Sequence, residues 1–125
     1  MADKKNILII EDDRFLSSLL RARFEKDGFG IFQAFDGDEA IKLLKQNKPN
    51  LVLLDLIMPR VSGFEVLEAI SLNPEMKKVP VVILSNLAQE SDVQKAKQLG
   101  AAEYFVKIRV SINALVKKIE DMLAV

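Results

Sequence analysis

Neither cysteine nor histidine occurs in this chain. Without cysteine there is no disulfide, no thiolate nucleophile, no zinc–thiolate site and no iron–sulfur cluster. Without histidine, a Ser-His-Asp hydrolase, a histidine-ligated metal centre and a phosphohistidine donor are excluded as self-contained functions. An excess of either charge is lacking too. The 18 Lys and Arg balance 18 Asp and Glu, so no global basic field exists to hold a nucleic-acid backbone. Long apolar runs are also missing: Ile7 to Ile10 is cut off at once by Glu11-Asp12-Asp13, too soon for a signal peptide or a membrane span. The expectation is a soluble, cytoplasmic protein with no nucleic-acid or membrane contact. Its chemistry must run on carboxylates, lysine, hydroxyls and backbone groups.

What is present is a regular alternation. The 125 residues, 50% of them hydrophobic, are enough for one compact domain over 1–125 with a core that needs no staples. Short apolar runs at Ile7–Ile10, Ile31–Ala34, Leu51–Leu54, Val81–Leu84 and Tyr104–Val106 predict strands. Three of them are almost wholly apolar, as strands of a parallel sheet covered on both faces are. Between them lie amphipathic stretches. The first sets Phe15, Leu16, Leu19, Leu20 and Phe24 against Arg14, Arg21 and Glu25 and stops at Gly28. The others run from about Asp38 to Gln46, through Phe64 to Asn73-Pro74, from Ser91 to Leu99 before Gly100, and from Ile112 to Leu123. Five strand–helix units in a row predict a doubly wound α/β domain with a five-stranded parallel sheet. Sites in such sheets form at the carboxyl ends of the strands.

The polar residues gather where that rule wants them. Glu11-Asp12-Asp13 follow the first strand and Asp55 ends the third. Carboxylates crowded at one sheet edge repel unless a cation sits among them, and Mg²⁺ is the natural choice for oxygen ligands alone. Asp13 is also a good N-cap for the first helix, and both readings stand at this level. Ser85 ends the fourth strand and Lys107 the fifth, adding a hydroxyl and a cation. The chemistry that fits is phosphoryl transfer, with Asp55 as the nucleophile that becomes an acyl phosphate. Lys107 and Mg²⁺ would neutralise the transferring group and Ser85 would donate a hydrogen bond to it. No Gly-rich GK[ST] loop is present, so the donor is expected to be another protein or a small phosphorylated molecule.

Together the residues resemble a response-regulator receiver domain of two-component signalling, in plan similar to the bacterial chemotaxis regulator. Matching stretches are Ile-Leu-Ile-Ile-Glu-Asp-Asp, Leu-Leu-Asp-Leu-Ile-Met-Pro around Asp55, Ser-Gly-Phe-Glu with Gly63, Val-Pro-Val-Val-Ile-Leu-Ser, Lys-Gln-Leu-Gly-Ala-Ala-Glu-Tyr-Phe, and Lys107. The resemblance implies a flavodoxin-like sheet of strand order 2-1-3-4-5. It implies that Asp12 holds Mg²⁺ directly, Glu11 through water, with Asp55 and the main-chain carbonyl of Ile57 as further ligands. Ser85 and Lys107 would read the phosphoryl group, and Tyr104 would be a rotating switch aromatic. Expected partners are a sensor histidine kinase or phosphotransfer protein, a downstream effector or output domain, and a second copy through the fourth and fifth helices. The expected catalysis is confined to the domain's own phosphorylation and dephosphorylation.

Two positions depart from the family pattern. Ile108 follows Lys107 where proline is usual, so a trans bond with an altered loop is expected. Asn86 replaces a small residue after Ser85 and would either crowd the site or add a hydrogen bond. An aspartate-nucleophile phosphatase needs an Asp-x-Asp after its first strand, and a flavin carrier needs a Ser/Thr/Gly-rich phosphate loop there. Neither is present.

Overall fold

A computed structural model describes residues 4–124; residues 1–3 and 125, the ends of the expected domain span, lie outside the described residues. The chain runs β1 (Asn6–Ile10), α1 (Arg14–Lys26), β2 (Gly30–Ala34), α2 (Gly37–Gln46), β3 (Leu51–Leu54), α3 (Gly63–Ser71), β4 (Val81–Ser85), α4 (Glu90–Gln98), β5 (Glu103–Val106) and α5 (Ile112–Leu123). The strands form one parallel sheet in the order β2-β1-β3-β4-β5, as expected.

Parity along the central strands sorts the core into two layers. Ile7, Ile9, Leu51, Leu53, Val82 and Leu84 point to the face covered by α1 and α5, where they meet Leu20, Phe24, Leu115 and Ile119. Leu8, Ile10, Val52, Leu54, Val81 and Ile83 point to the other, against Ala40, Val66, Leu67, Ile70 and Ala96 of α2, α3 and α4. Each such Ile or Leu contributes about 1.5–3 kcal/mol on burial. The edge strands β2 and β5 are only half-buried, which is why their runs read as mixed.

Two expectations need correction. Phe15 and Leu19 belong by helical period to the apolar face of α1, yet they are 79% and 44% exposed. Leu20 and Phe24 face the sheet, and Phe15 and Leu19 lie roughly 100–140° round the helix from Leu20. The buried place beside them goes to Ser17, whose Oγ accepts from Gln33 Nε2 at 2.8 Å. The third helix ends at Ser71 rather than at Asn73-Pro74. Pro74 instead opens a 3₁₀ turn that buries Met76, a residue with no place in the periodic pattern.

Candidate functional site

The strand order reverses between β1 and β3, so the residues just past these two strands border the crevice where such sheets carry their sites. Backbone bonds extend the ladder one step beyond the strands: Glu11 N–H donates to Ala34 O and Asp55 N–H to Ile10 O, both at 3.0 Å. Glu11 and Asp55 are thereby held rigidly at the sheet edge, 3% and 4% exposed, while Asp12 faces solvent. One carboxylate oxygen from each of Glu11, Asp12 and Asp55 lies within 4.8 Å of the others.

Lys107 reaches this cluster from the tip of β5. Its Nζ lies 2.7 Å from Glu11 Oε1 and 3.0 Å from Asp55 Oδ2. No cis peptide bond occurs among the described residues, so the bond to Ile108 is trans, as expected without proline. The altered loop is a 3₁₀ turn over Lys107–Arg109, which leaves Ile108 81% exposed and does not deflect the ammonium from the acids. The other oxygens are also engaged: Ile57 N–H donates to Asp55 Oδ1 and Asp13 N–H to Glu11 Oε2, each at 3.1 Å. Asp13 turns its own carboxylate away to cap α1, Oδ1 accepting from Leu16 N–H.

The electrostatics follow from burial. Loss of water, and secondarily the Asp55 charge, push Glu11 up to about 7 despite its bond to Lys107. Burial pulls the Lys107 ammonium down, but its bonds to Glu11 and Asp55 outweigh this and leave it above the ordinary lysine value. The site is an acidic pair clamped by one cation, with a third carboxylate at its mouth.

Ser85 is fully buried at the end of β4, paired in register with Val106 beside Lys107. Its Oγ accepts from Leu87 N–H at 3.3 Å. Tyr104, half-buried on β5, donates its hydroxyl to Leu87 O at 2.7 Å. Leu87 therefore joins the hydroxyl and the aromatic through its two backbone groups. A backbone link of this kind leaves no side-chain signature in the sequence. Asn86 is exposed. Ile57 presents its N–H to Asp55 and as a residue is 50% exposed.

Behind Asp55 the packing admits no side chain. A Cβ on Gly63, the first residue of α3, would lie 2.2 Å from Asp55 O and 2.4 Å from Leu56 Cα. Glycine there lets α3 begin against the very segment that carries Asp55.

Known proteins share this fold. The response regulator receiver domain family matches residues 7–120. Protein PilH of Pseudomonas aeruginosa is 34% identical over 118 residues, covering 94% of this chain and 97% of PilH. The uncharacterized transcriptional regulatory protein YcbL of Bacillus subtilis is 39% identical over 102 residues, 80% of this chain but 43% of YcbL, so the chain spans less than half the length of that relative. The Mn²⁺-bound form of response regulator Rcp1 superposes with a TM-score of 0.84 at 32% identity, covering 95% of this chain and 94% of that one. With the sheet order, the acidic edge and these likenesses in agreement, the chain belongs to the response regulator receiver domain family, signalling domains of two-component systems.

Proposed function

We propose that this chain is a Mg²⁺-dependent phosphoacceptor over residues 1–125, switched by a phosphoryl group on Asp55. The observation that carries the reading is the Lys107 ammonium bridging Glu11 and Asp55, with Asp12 completing an all-oxygen cluster. Carboxylates without nitrogen or sulfur donors suit a small hard cation. Asp12 and Asp55 would hold Mg²⁺ directly, the Ile57 carbonyl would add a ligand, and Glu11 would act through water. The bound cation would supply charge neutralisation at the phosphoryl oxygens. Rcp1, 32% identical to this chain, has a Mn²⁺-bound form, which supports a divalent ion as the ligand here.

In the transfer, a carboxylate oxygen of Asp55 bonds to phosphorus. The phosphorus–nitrogen bond of the donor's phosphohistidine breaks, and its electron pair returns to the imidazole of a histidine kinase or phosphotransfer protein. Lys107 exchanges its contact with Asp55 for the transferred oxygens, and the Ser85 hydroxyl, whose oxygen accepts from Leu87, directs its hydrogen to one of them. Pull on Ser85 shifts Leu87, and with it the acceptor of the Tyr104 hydroxyl. Tyr104 thus changes position with phosphorylation and alters the surface of α4, β5 and α5, where a downstream effector, an output domain or a second copy would bind. The domain carries out only its own phosphorylation and, with water, its own dephosphorylation. The setting is cytoplasmic, without nucleic-acid or membrane contact by this segment; no helix among the described residues is long and apolar enough to cross a membrane.

The test is incubation with acetyl phosphate and Mg²⁺ followed by peptide mass mapping. Modification on Asp55, lost in Asp55→Asn while the circular dichroism spectrum is retained, is the expected result. Undiminished labelling of that variant overturns the assignment.

A further inference from the structure

The loop between Asp55 and α3 contains the described chain's only non-glycine residue with positive φ: Arg60, at 63°. Left-handed backbone is strained for a long side chain, and it persists where surrounding contacts hold it. Arg60 gains a partner there. Its Nη2 lies 3.1 Å from Asp36 Oδ2, across from the turn between β2 and α2. The other oxygen of Asp36 accepts from Glu39 N–H at 2.8 Å, which makes Asp36 the N-cap of α2. One carboxylate therefore caps a helix and tethers a loop.

The same two segments touch directly. A Cβ on Gly37, the first residue of α2, would lie 2.6 Å from Val61 Cγ1 and 2.9 Å from Val61 O. At its base the loop is closed by Gly63 N–H on Leu56 O at 3.0 Å and by Ile57 N–H on Asp55 Oδ1. The loop is thus fixed at both ends by α3 and Asp55, and at its tip by α2. Its base carries Ile57, whose carbonyl the proposed cation requires.

We propose that Arg60, acting through Asp36, is a positioning residue that holds this loop and with it the Ile57 main chain in the geometry the divalent cation needs. The inference rests on the phosphoacceptor reading for its purpose, but the tether itself belongs to the metal-free protein. Arginine at this position accepts backbone strain in exchange for a cross-link that glycine cannot make.

The two halves of Asp36's role can be separated. Asn caps helices as well as Asp does, so Asp36→Asn keeps α2 capped and removes the ion pair. Arg60→Gly removes the ion pair and relieves the strain. Three readouts apply: the Mg²⁺ dissociation constant by calorimetry, hydrogen exchange of the Ile57 amide in chelator, and melting temperature. Each single variant is expected to weaken Mg²⁺ binding about two- to fivefold, the range of an exposed ion pair, and to speed Ile57 exchange by a similar factor. The double variant is expected to be no worse than either single, and Arg60→Lys to recover part of the loss. Arg60→Gly is expected not to lower the melting temperature, which separates positioning from general destabilisation. Three results overturn the tether: both singles unchanged, losses that multiply in the double variant, or a loss in Arg60→Gly that Asp36→Asn does not share. If wild-type protein binds no Mg²⁺, the cation reading falls. Ile57 exchange then decides the tether alone, faster in both variants supporting it and unchanged overturning it.

Discussion

The ammonium of Lys107 lies 3.0 Å from a carboxylate oxygen of Asp55, a residue 52 positions earlier in the chain. Each stands one residue past a strand, so sheet registry brings the two together and the 3₁₀ turn that starts at Lys107 aims the ammonium. The same ammonium also serves Glu11, and its removal would leave two buried carboxylates facing each other. Lys107→Ala is expected to cost roughly 1–3 kcal/mol in chelator near neutral pH, measured by denaturant unfolding. Added Mg²⁺ should recover most of that loss by restoring a cation to the site, while Asp55 labelling stays impaired. A variant as stable as wild type in chelator would show that the clamp has no energetic role.

Glu11 gives the metal-free protein a pH dependence of known sign. Its carboxyl sits at about 7 in the folded protein against 4.5 for the free side chain, chiefly through burial, so the folded state holds this proton more tightly than the unfolded chain does. The stability that this group contributes is fully present below 4.5 and is lost as pH rises through 7. In chelator, this contribution to the melting temperature should therefore fall between about pH 5 and about pH 7 and level off above, and Glu11→Gln should flatten that fall. With saturating Mg²⁺ the gain in melting temperature should instead grow with pH, because the cation displaces the proton. A wild-type curve in chelator that rises over this interval would contradict the burial argument.

Asp12 and Asp13 are neighbours with separable duties. Asp13 caps α1 through Leu16 N–H, whereas Asp12 faces solvent beside the buried acids. Asp13→Ala should lose about 1 kcal/mol of stability while the stabilisation by Mg²⁺ persists. Asp12→Ala should leave the metal-free melting temperature nearly unchanged and abolish most of the Mg²⁺ effect. Thermal melts with and without the ion decide the matter, and the reverse pattern would exchange the two roles.

If Asp55 is the phosphoacceptor, the lifetime of its phosphoryl group should turn on Ile57 and Leu87, each two residues past a site residue. Neither apolar side chain can orient an attacking water as an acid or amide does. Self-dephosphorylation should be slow, and Ile57→Asn or Leu87→Glu should accelerate it severalfold. Decay followed in Mg²⁺ buffer after removal of the phosphodonor provides the check. If neither substitution changes the rate, shielding by these side chains does not set the lifetime.

The sheet and the identity of its polar residues were legible in the chain itself. The runs Ile7–Ile10, Leu51–Leu54 and Val81–Leu84 are apolar at every position, as strands covered on both faces are, and each leads into a residue of the site. That Lys107 would approach the acids could be anticipated from strand ends meeting at one edge. Its division between Glu11 and Asp55, at a loop lacking the expected proline, could not, because it depends on where a 3₁₀ turn aims a four-carbon stem. Phe15 and Leu19 show the complementary limit: periodicity measures how wide an apolar stripe is, and only packing decides how much of it the sheet covers. The ties of Tyr104 to Leu87 and of Arg60 to Asp36 bring together residues 17 and 24 positions apart, one through a backbone carbonyl and the other from a left-handed backbone. Pattern and composition set which residues stand at the sheet edge. The pairings among them arose only when the closed loops brought donors and acceptors within bonding distance, since a hydrogen bond is specified by coordinates and local sequence specifies little more than direction.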